Sequence, residues 1–254
     1  MKVFKPQVIR YDSLPSTNTE AARLAVLGVE EGLCVVADEQ TAGRGRLQRT
    51  WLSPKGAGLY CSTLLRPIIP LDQWPLLTFM AALAVSDALR NACDLETDIK
   101  WPNDLLSGER KICGILAEAI DTEQGRAVVV GIGVNLAKEA FPATLADVAI
   151  SVEEATSRRP DRETILAALI VAMAHWYSLA QAAAGREEIL VSWTSRSSYA
   201  KGKRVKITNG DQLVSGITCG VESDGALRVE TDHSGLKIIR AGDVARVRPS
   251  RDVA

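Results

Sequence analysis

Residues 112–134 read ICGILAEAIDTEQGRAVVVGIGV. Two apolar runs, Ile112–Ile120 and Ala127–Val134, flank a polar segment, and their length and content of β-branched residues predict two strands. Thr97–Trp101 predicts another strand, and a turn at Pro102-Asn103-Asp104 separates it from these two. The centre of the fold is therefore expected to be a sheet.

Helices and further strands surround this segment without a strict alternation. The predicted elements are a short helix between Thr17 and Gly28, strands Leu33–Ala37 and Leu59–Leu65, a helix Trp74–Cys93, and a long helix from Asp161 to Ala184 that ends at Gly185. Capping-box spacing, Thr17 with Glu20 and Ser151 with Glu154, marks helix starts. This interleaved order predicts an α+β fold with a mixed sheet.

The character of the sequence changes after Tyr199. The short β-type segments that follow are Arg204–Thr208, Leu213–Glu222, Ala226–Thr231, Leu236–Arg240 and Val244–Val247. Asn209-Gly210 and Asp224-Gly225 are two-residue hairpin signals between them. Five short strands in this stretch predict a small β-barrel. We therefore expect two domains, residues 1–198 and residues 199–254.

The composition is that of an ordinary globular protein. The 254 residues contain 30 Lys and Arg against 31 Asp and Glu, a net charge of −1, which disfavours attraction to DNA or to an anionic membrane. Met1–Leu14 lacks the apolar core of a signal peptide, and the longest apolar stretch, Ile165–Ala174, is too short to span a bilayer. These features predict a cytoplasmic protein that binds neither DNA nor a membrane.

Several chemistries are excluded by the residues themselves. The two histidines, His175 and His233, have no metal-ligand or nucleophile–base context, and neither GxSxG nor GxxxxGK[ST] occurs. Gly131-Ile132-Gly133 begins like a dinucleotide fingerprint, but Leu136 stands in place of its third glycine. The five cysteines form no CxxC pair, and those in apolar runs are expected to be buried reduced thiols: Cys34, Cys61 and Cys113.

The most informative motif lies in the polar loop Asp38–Gly58. GRGRLQR, residues 43–49, contains three arginines and two glycines within seven residues. Arginine offers a fork of donors for phosphate or carboxylate, and glycine lets backbone N–H groups approach an anion. The motif is compatible with an anion site that orders on binding, but taken by itself it slightly favours a solvated basic loop or an RNA contact.

Lysines in unusual surroundings mark two further motifs, KWPNDL at residues 100–105 and KICGILAE at residues 111–118. Lys111 opens an apolar strand, so its side chain either reaches the surface or faces a ligand, and Gly114 leaves room for one. Asp104 is equally explained as a cap of its own backbone. Taken singly, each of these residues has a structural explanation.

The order of the motifs is more specific than any one of them. Ser16-Thr17-Asn18, then QTAGRGR, KWPND, KICGIL and finally GIGVN strongly resemble the biotin protein ligase family, from about Tyr11 to Arg248. The resemblance implies a catalytic domain of the biotinyl/lipoyl-ligase type followed by an SH3-like barrel. Larger family members add an N-terminal winged helix that binds DNA. Only 15 residues precede Ser16 here, which implies the monofunctional enzyme.

The resemblance also implies a role for each motif residue. Biotin contacts are implied for Ser16, Thr17, Asn18, Gln40, Gly43, Arg44, Gly45, Arg46, Lys111 and Gly114. Nucleotide contacts are implied for Asn135, Lys100 and Trp51, and catalytic roles for Lys111, Arg44, Arg46 and Asp104. No residue is implied as a metal ligand. Family members commonly have a glycine where this chain has Gln48, and the substitution predicts a stiffer loop.

The activity implied by the resemblance has two steps. ATP with Mg²⁺ activates biotin to biotinyl-5′-AMP, and a lysine of a biotin carboxyl carrier protein domain then receives the biotin. Both a monomer and a homodimer are compatible with the sequence. A lipoate or octanoate ligase and a non-enzymatic RNA-binding module remain as alternatives. The motifs point away from the first, and the net charge of −1 points away from the second.

Overall fold

The computed structural model describes residues 6–209 and 212–246. The strands of its central sheet are β1 Gln7–Leu14, β2 Leu33–Gln40, β3 Gly58–Leu65, β4 Asp98–Lys100, β5 Asp104–Ser107, β6 Arg110–Thr122 and β7 Gly125–Asn135. Their order is β1-β2-β3-β7-β6-β5-β4. β1 and β2 run parallel, and the other neighbours are antiparallel. The predicted mixed sheet is therefore confirmed.

Helices cover both faces of this sheet. The helices of the described residues are α1 Thr17–Val26, α2 Leu76–Cys93, α3 Val152–Thr156, α4 Arg162–Ala180 and α5 Gly185–Ser195. Successive residues of a strand point to opposite faces. Accordingly, Cys34 and Val36 of β2 join the core beneath α2 and α4, whereas Leu33 and Val35 join a smaller core beneath α1.

The two longest helices are structural parts of the main core. By length and composition alone, α2 and α4 are each long and apolar enough to cross a membrane. The apolar run Ile165–Ala174 covers only part of α4 and is too short to indicate this. Within the fold, 67% of the α2 window and 44% of the α4 window are buried. The three thiols predicted to be buried and free, Cys34, Cys61 and Cys113, are both.

A second sheet follows the central sheet in the chain. Its strands are β8 Lys201–Asn209, β9 Gln212–Val221, β10 Leu227–Thr231, β11 Gly235–Ile239 and β12 Asp243–Arg246. All neighbours in the order β11-β10-β9-β8-β12 are antiparallel. The five predicted C-terminal strands are thus present, and the predicted end of the last, Val247, lies outside the described residues.

The second sheet packs directly against the central sheet and its helices. Val205 and Leu227 belong to the same core as α2. The indole N–H of Trp101 donates to the carbonyl oxygen of Gly225 at 3.0 Å. A Cβ on Gly225 would lie 3.4 Å from the ring of Phe79 in α2. These contacts bring the C-terminal strands to the edge of the central sheet that carries β4 and β5.

The connections between the C-terminal strands differ in part from the prediction. β8 and β9 pair up to Asn209 and Gln212, so the Asn209-Gly210 signal falls at their junction, where residues 210 and 211 lie outside the described residues. The pairing of β9 with β10 stops at Val221 and Leu227. Asp224-Gly225 therefore lies in a loop longer than a two-residue hairpin.

The long helix predicted from Asp161 to Ala184 is wrong at its end. Helix α4 ends at Ala180, and Gly185, expected to terminate it, begins α5. The reason is a close approach of backbone, because a Cβ on Gly185 would lie 1.7 Å from the carbonyl oxygen of Leu179. This glycine is required by tertiary packing and not by a helix stop.

Two other local predictions differ from the structure. The residue that caps α1 is Ser16 and not Thr17. Asp104 begins β5, so it is not confined to a turn. The exposed edge strand β1 was not predicted, and neither were β5 and α5.

Candidate active site

The predicted site residues meet at one cavity of about 560 Å³ on the central sheet. Its wall includes Ser16, Thr17, Asn18, Gln40, Arg44, Gly45, Arg46, Trp51, Lys100, Asp104, Lys111, Gly114 and Asn135. Gly43 is outside this lining. A Cβ on Gly43 would come within 2.4 Å of the carbonyl oxygen of Trp51, so this residue shapes the base of the arginine loop, defined as residues 43–51.

A network of neutral hydrogen bonds forms one end of the cavity. Ser16 caps α1 with its side chain. Thr17 donates both its backbone N–H and its hydroxyl to Gln40 Oε1, at 2.8 and 3.1 Å. Ser62 donates to the Thr17 hydroxyl at 2.7 Å, and Gln40 Nε2 donates to Ser53 Oγ at 2.8 Å. Residues far apart in sequence therefore present fixed donors and acceptors at this end.

Asn18 extends the network to β6. Its Nδ2 donates to Glu118 Oε2 at 2.7 Å, and Arg44 Nη2 donates to the same oxygen at 2.9 Å. Gly131 lies directly beneath Asn18, since a Cβ there would be 2.0 Å from Asn18 Oδ1. An ion pair with Glu118 thus holds Arg44 at this end of the cavity.

Trp51 forms the floor of the cavity. Gly114 and Gly133 are cross-strand partners, and the indole lies across both. A Cβ on Gly133 would be 2.5 Å from the indole, and one on Gly114 would be 3.0 Å from it. Lys111 Nζ lies 5.2 Å from the ring centroid and 2.6 Å from Asp104 Oδ1. The lysine is therefore held by a cation–π contact and an ion pair.

Two predicted nucleotide residues lie towards the opposite end. Asn135 Nδ2 donates to the carbonyl oxygens of Lys111 and Ile150, at 3.4 and 3.2 Å. Lys100 Nζ lies 5.7 Å from the ring centroid of Tyr199. Burial lowers the pKa of Lys100 below its usual value of 10.5.

The arginine loop contacts the C-terminal sheet. Arg46 Nη1 donates to Asn103 Oδ1 at 3.2 Å and to the carbonyl oxygen of Gly242 at 3.4 Å. Arg49 forms an ion pair with Asp243 at the start of β12. Burial lowers the pKa of Arg46, although Asp243 and Asp104 oppose that effect. Residues from both sheets thus close this side of the cavity.

Two non-glycine residues of this loop have left-handed backbone. Leu47 has φ of 53° and Gln48 has φ of 59°. This region costs about 1–2 kcal/mol for an L-residue with a Cβ and favours glycine. Gln48 therefore lies at a position where glycine would be the unstrained choice.

Three residues that shape the site were not singled out by the sequence. Ser62 and Glu118 lie within apolar strands, and Asp243 lies in the C-terminal part of the chain. For the first two, a polar residue in an apolar run was the available signal. For Asp243, there was none, because its partner Arg49 is 194 positions away.

The fold and the cavity define a protein ligase of the biotin and lipoate class. The sequence matches the Biotin/lipoate A/B protein ligase family over residues 11–135 and the Biotin protein ligase C terminal domain over residues 202–247. The chain belongs to the biotin protein ligase family.

Individual relatives agree with this assignment. The bifunctional ligase/repressor BirA of Bacillus subtilis is 37% identical over 250 residues, which cover 96% of this chain and 75% of that protein. The biotin–[acetyl-CoA-carboxylase] ligase of Paracoccus denitrificans is 37% identical over 236 residues, covering 90% and 96%. The solved structure of biotin protein ligase from Aquifex aeolicus in complex with biotin and ATP is similar with a TM-score of 0.83 at 30% identity, covering 97% and 100%.

Proposed function

We propose that this protein activates biotin with ATP to biotinyl-5′-AMP and transfers the biotin to a lysine of a biotin carboxyl carrier protein domain. The observation that carries the proposal is the polarity of the cavity. Neutral donors and acceptors, together with the Arg44–Glu118 ion pair, line one end, and cationic side chains line the middle and the opposite side. A substrate with a neutral polar head and an anionic tail fits this arrangement.

The neutral end favours biotin over lipoate. The ureido ring of biotin carries N–H donors and a carbonyl acceptor, whereas a dithiolane ring and an octanoyl chain carry no comparable groups. Thr17, Asn18 and Gln40 are polar and largely buried. An apolar ligand in the cavity would displace the water that still reaches them and would offer no hydrogen bond in its place. We assign these residues, with Ser16, to the biotin head group.

The cationic part suits the activation step. The biotin carboxylate attacks the α-phosphorus of ATP and displaces pyrophosphate, so the reaction brings two anions together. Lys111 and Arg46 supply positive charge fixed in advance by Asp104 and Asn103, respectively. Preorganised charges of this kind stabilise a transition state without reorganisation during the reaction. No protein nucleophile is required.

We propose that the adenine and ribose bind at the far end of the cavity. Phe141, Leu145 and Val148 provide an apolar wall there, next to Asn135. Lys100 adds a cation near Asp104 and Lys111. We assign Asn135, Lys100 and Trp51 to the nucleotide half of the intermediate.

Mg²⁺ is proposed to enter with ATP. No group of three or more His, Cys, Asp or Glu side chains that could hold a metal occurs among residues 6–209 and 212–246. Mg²⁺ usually binds substrate phosphates and water with only one or two carboxylates. Asp104 and Asp147 line the cavity and fit that limited role. The ion would neutralise phosphate charge.

Location, assembly and domain division extend the proposal. Free buried thiols and a net charge of −1 support a cytoplasmic protein without affinity for DNA or a membrane. The two separate sheets support domains of residues 1–198 and 199–254. Light scattering will distinguish the monomer from the homodimer.

Transfer is tested with a purified carrier domain. Incubation with the protein, biotin, ATP and Mg²⁺ is expected to add one biotinyl group to one lysine, read by mass spectrometry of tryptic peptides. The matched control is a carrier in which that lysine is replaced by arginine. Equal labelling of both carriers would contradict enzymatic transfer and indicate free release of a reactive adenylate.

A further inference from the structure

A second cavity of about 230 Å³ lies beside the active-site cavity. Its walls come from the N-terminal end of α2, the turn between β4 and β5, and the loop between β9 and β10. It therefore lies at the junction of the two sheets. Pro75 and Arg240 lie at its rim, and both are exposed.

The two cavities share a wall. Arg46, Asn103, Ile115 and Leu116 line both of them. The polar part of this wall is the hydrogen bond from Arg46 Nη1 to Asn103 Oδ1, 3.2 Å long. One member of that pair belongs to the arginine loop. The arginine loop therefore forms part of the boundary between the two cavities.

The chemistry of the second cavity suits a long side chain with an amine at its tip. Phe79, Trp101 and Pro102 provide apolar surface for methylene groups. At the rim, Asp224 pairs with Arg240, with Oδ2 and Nε 3.0 Å apart. An amine that leaves water for apolar surroundings is shifted towards its neutral form. A neutral amine is the form that attacks an acyl group.

We propose that this second cavity is the passage through which the acceptor lysine reaches the adenylate. The inference rests on the proposed function. The neutral ε-amine forms a C–N bond to the biotinyl carbonyl carbon. The bond from that carbon to the phosphate oxygen breaks, its electron pair leaves with AMP, and the amine nitrogen loses one proton to water. Biotinyl-AMP fills the larger cavity, and the amine enters across the shared wall.

Substitutions that fill the passage should slow biotin transfer without slowing adenylate formation. Thr78 on α2 and Ala117 on β6 line the second cavity and are absent from the lining of the first. Thr78→Trp and, independently, Ala117→Leu should narrow it. Asn91→Trp is the matched control, because Asn91 is exposed on the same helix and lies outside both cavities.

Three rates are measured for each variant and for the wild type. They are pyrophosphate release with biotin and ATP, single-turnover transfer from the preformed adenylate to the carrier domain, and transfer to free hydroxylamine. We expect Thr78→Trp to lower carrier transfer at least about tenfold. Pyrophosphate release and reaction with hydroxylamine should stay within about twofold of wild type, as should all three rates for Asn91→Trp.

Two results would overturn the passage. Normal carrier transfer by both filled variants would show that the lysine enters elsewhere. Equal loss of pyrophosphate release and carrier transfer would show that the second cavity belongs to the activation site. Failure of the proposed function is a separate outcome, because the wild type would then release no pyrophosphate with biotin.

Discussion

Lys111 and Gly114 lie on the same face of β6 although they are three positions apart in the sequence. Successive residues of a regular strand point to opposite faces, so a spacing of three positions would place these two residues on different sides of the sheet. The register between β5 and β6 shifts between Leu105 and Leu106, which pair with Cys113 and Lys111. This bulge turns Lys111 towards the cavity, where a Cβ on Gly114 would be 3.1 Å from its Nζ.

The orientation of Lys111 predicts a large effect of its removal. Lys111→Ala should lower biotin-dependent pyrophosphate release at least about a hundredfold, because a preorganised charge at the reacting phosphate is lost. Circular dichroism and the melting temperature should stay close to wild type. Lys138→Ala is the control, since Lys138 is an exposed lysine outside the cavity. Pyrophosphate release by Lys111→Ala near the wild-type rate would remove Lys111 from the mechanism.

The ion pair between Arg49 and Asp243 predicts coupling between the arginine loop and the C-terminal sheet. Arg49 is 66% exposed, so the pair contributes about 0.2–1 kcal/mol. Arg49→Gln and Asp243→Asn should each speed release of the adenylate up to about fivefold. The double variant should release it no faster than either single variant, as measured by a stopped-flow chase. Additive effects would show that the two side chains act separately.

The contact between Gly131 and Asn18 predicts a specific defect in biotin binding. Gly131→Ala forces Asn18 to move, because the new Cβ would be 2.0 Å from its Oδ1. We expect the KM for biotin to rise at least about tenfold and the KM for ATP to change little. In the background of Asn18→Ala, the Gly131→Ala change should add little, since the clashing group is gone. A full additional loss in that background would contradict this explanation.

Burial of Lys100 predicts a limit on activity at high pH. Its pKa lies below 10.5, so the charge near the phosphates is lost as pH rises through that lowered value. Lys100→Arg should move the alkaline limb of the pyrophosphate-release profile to higher pH, because arginine stays protonated. Identical alkaline limbs for wild type and variant would assign that limb to another group.

Much of the fold was predictable because its signals are local. Apolar runs located β3, β6 and β7, and short β-type segments located the C-terminal strands. The exposed edge strand β1 gave no comparable pattern. The prediction that Gly185 ends a helix was wrong. Glycine is needed there because the backbone of Leu179 in another helix comes too close for a Cβ, and a helix-stop rule does not consider such a contact.

The site was predictable as a set of residues but not as an arrangement. Motif order brought Thr17, Gln40 and Lys111 together, and the structure places all three on one cavity. The bulge that orients Lys111 has no signature in the residues themselves. The pairing of Arg49 with Asp243 depends on how two sheets pack, so no spacing rule could give it.

The most direct test of the proposed activity offers biotin, lipoate and octanoate separately to the protein with ATP and Mg²⁺, and measures pyrophosphate release. Inorganic pyrophosphatase coupling gives the rate, and Lys111→Ala gives the background. The cavity predicts release with biotin and none above background with lipoate or octanoate. Release with lipoate or octanoate and not with biotin would contradict the assignment of Thr17, Asn18 and Gln40 to a ureido ring.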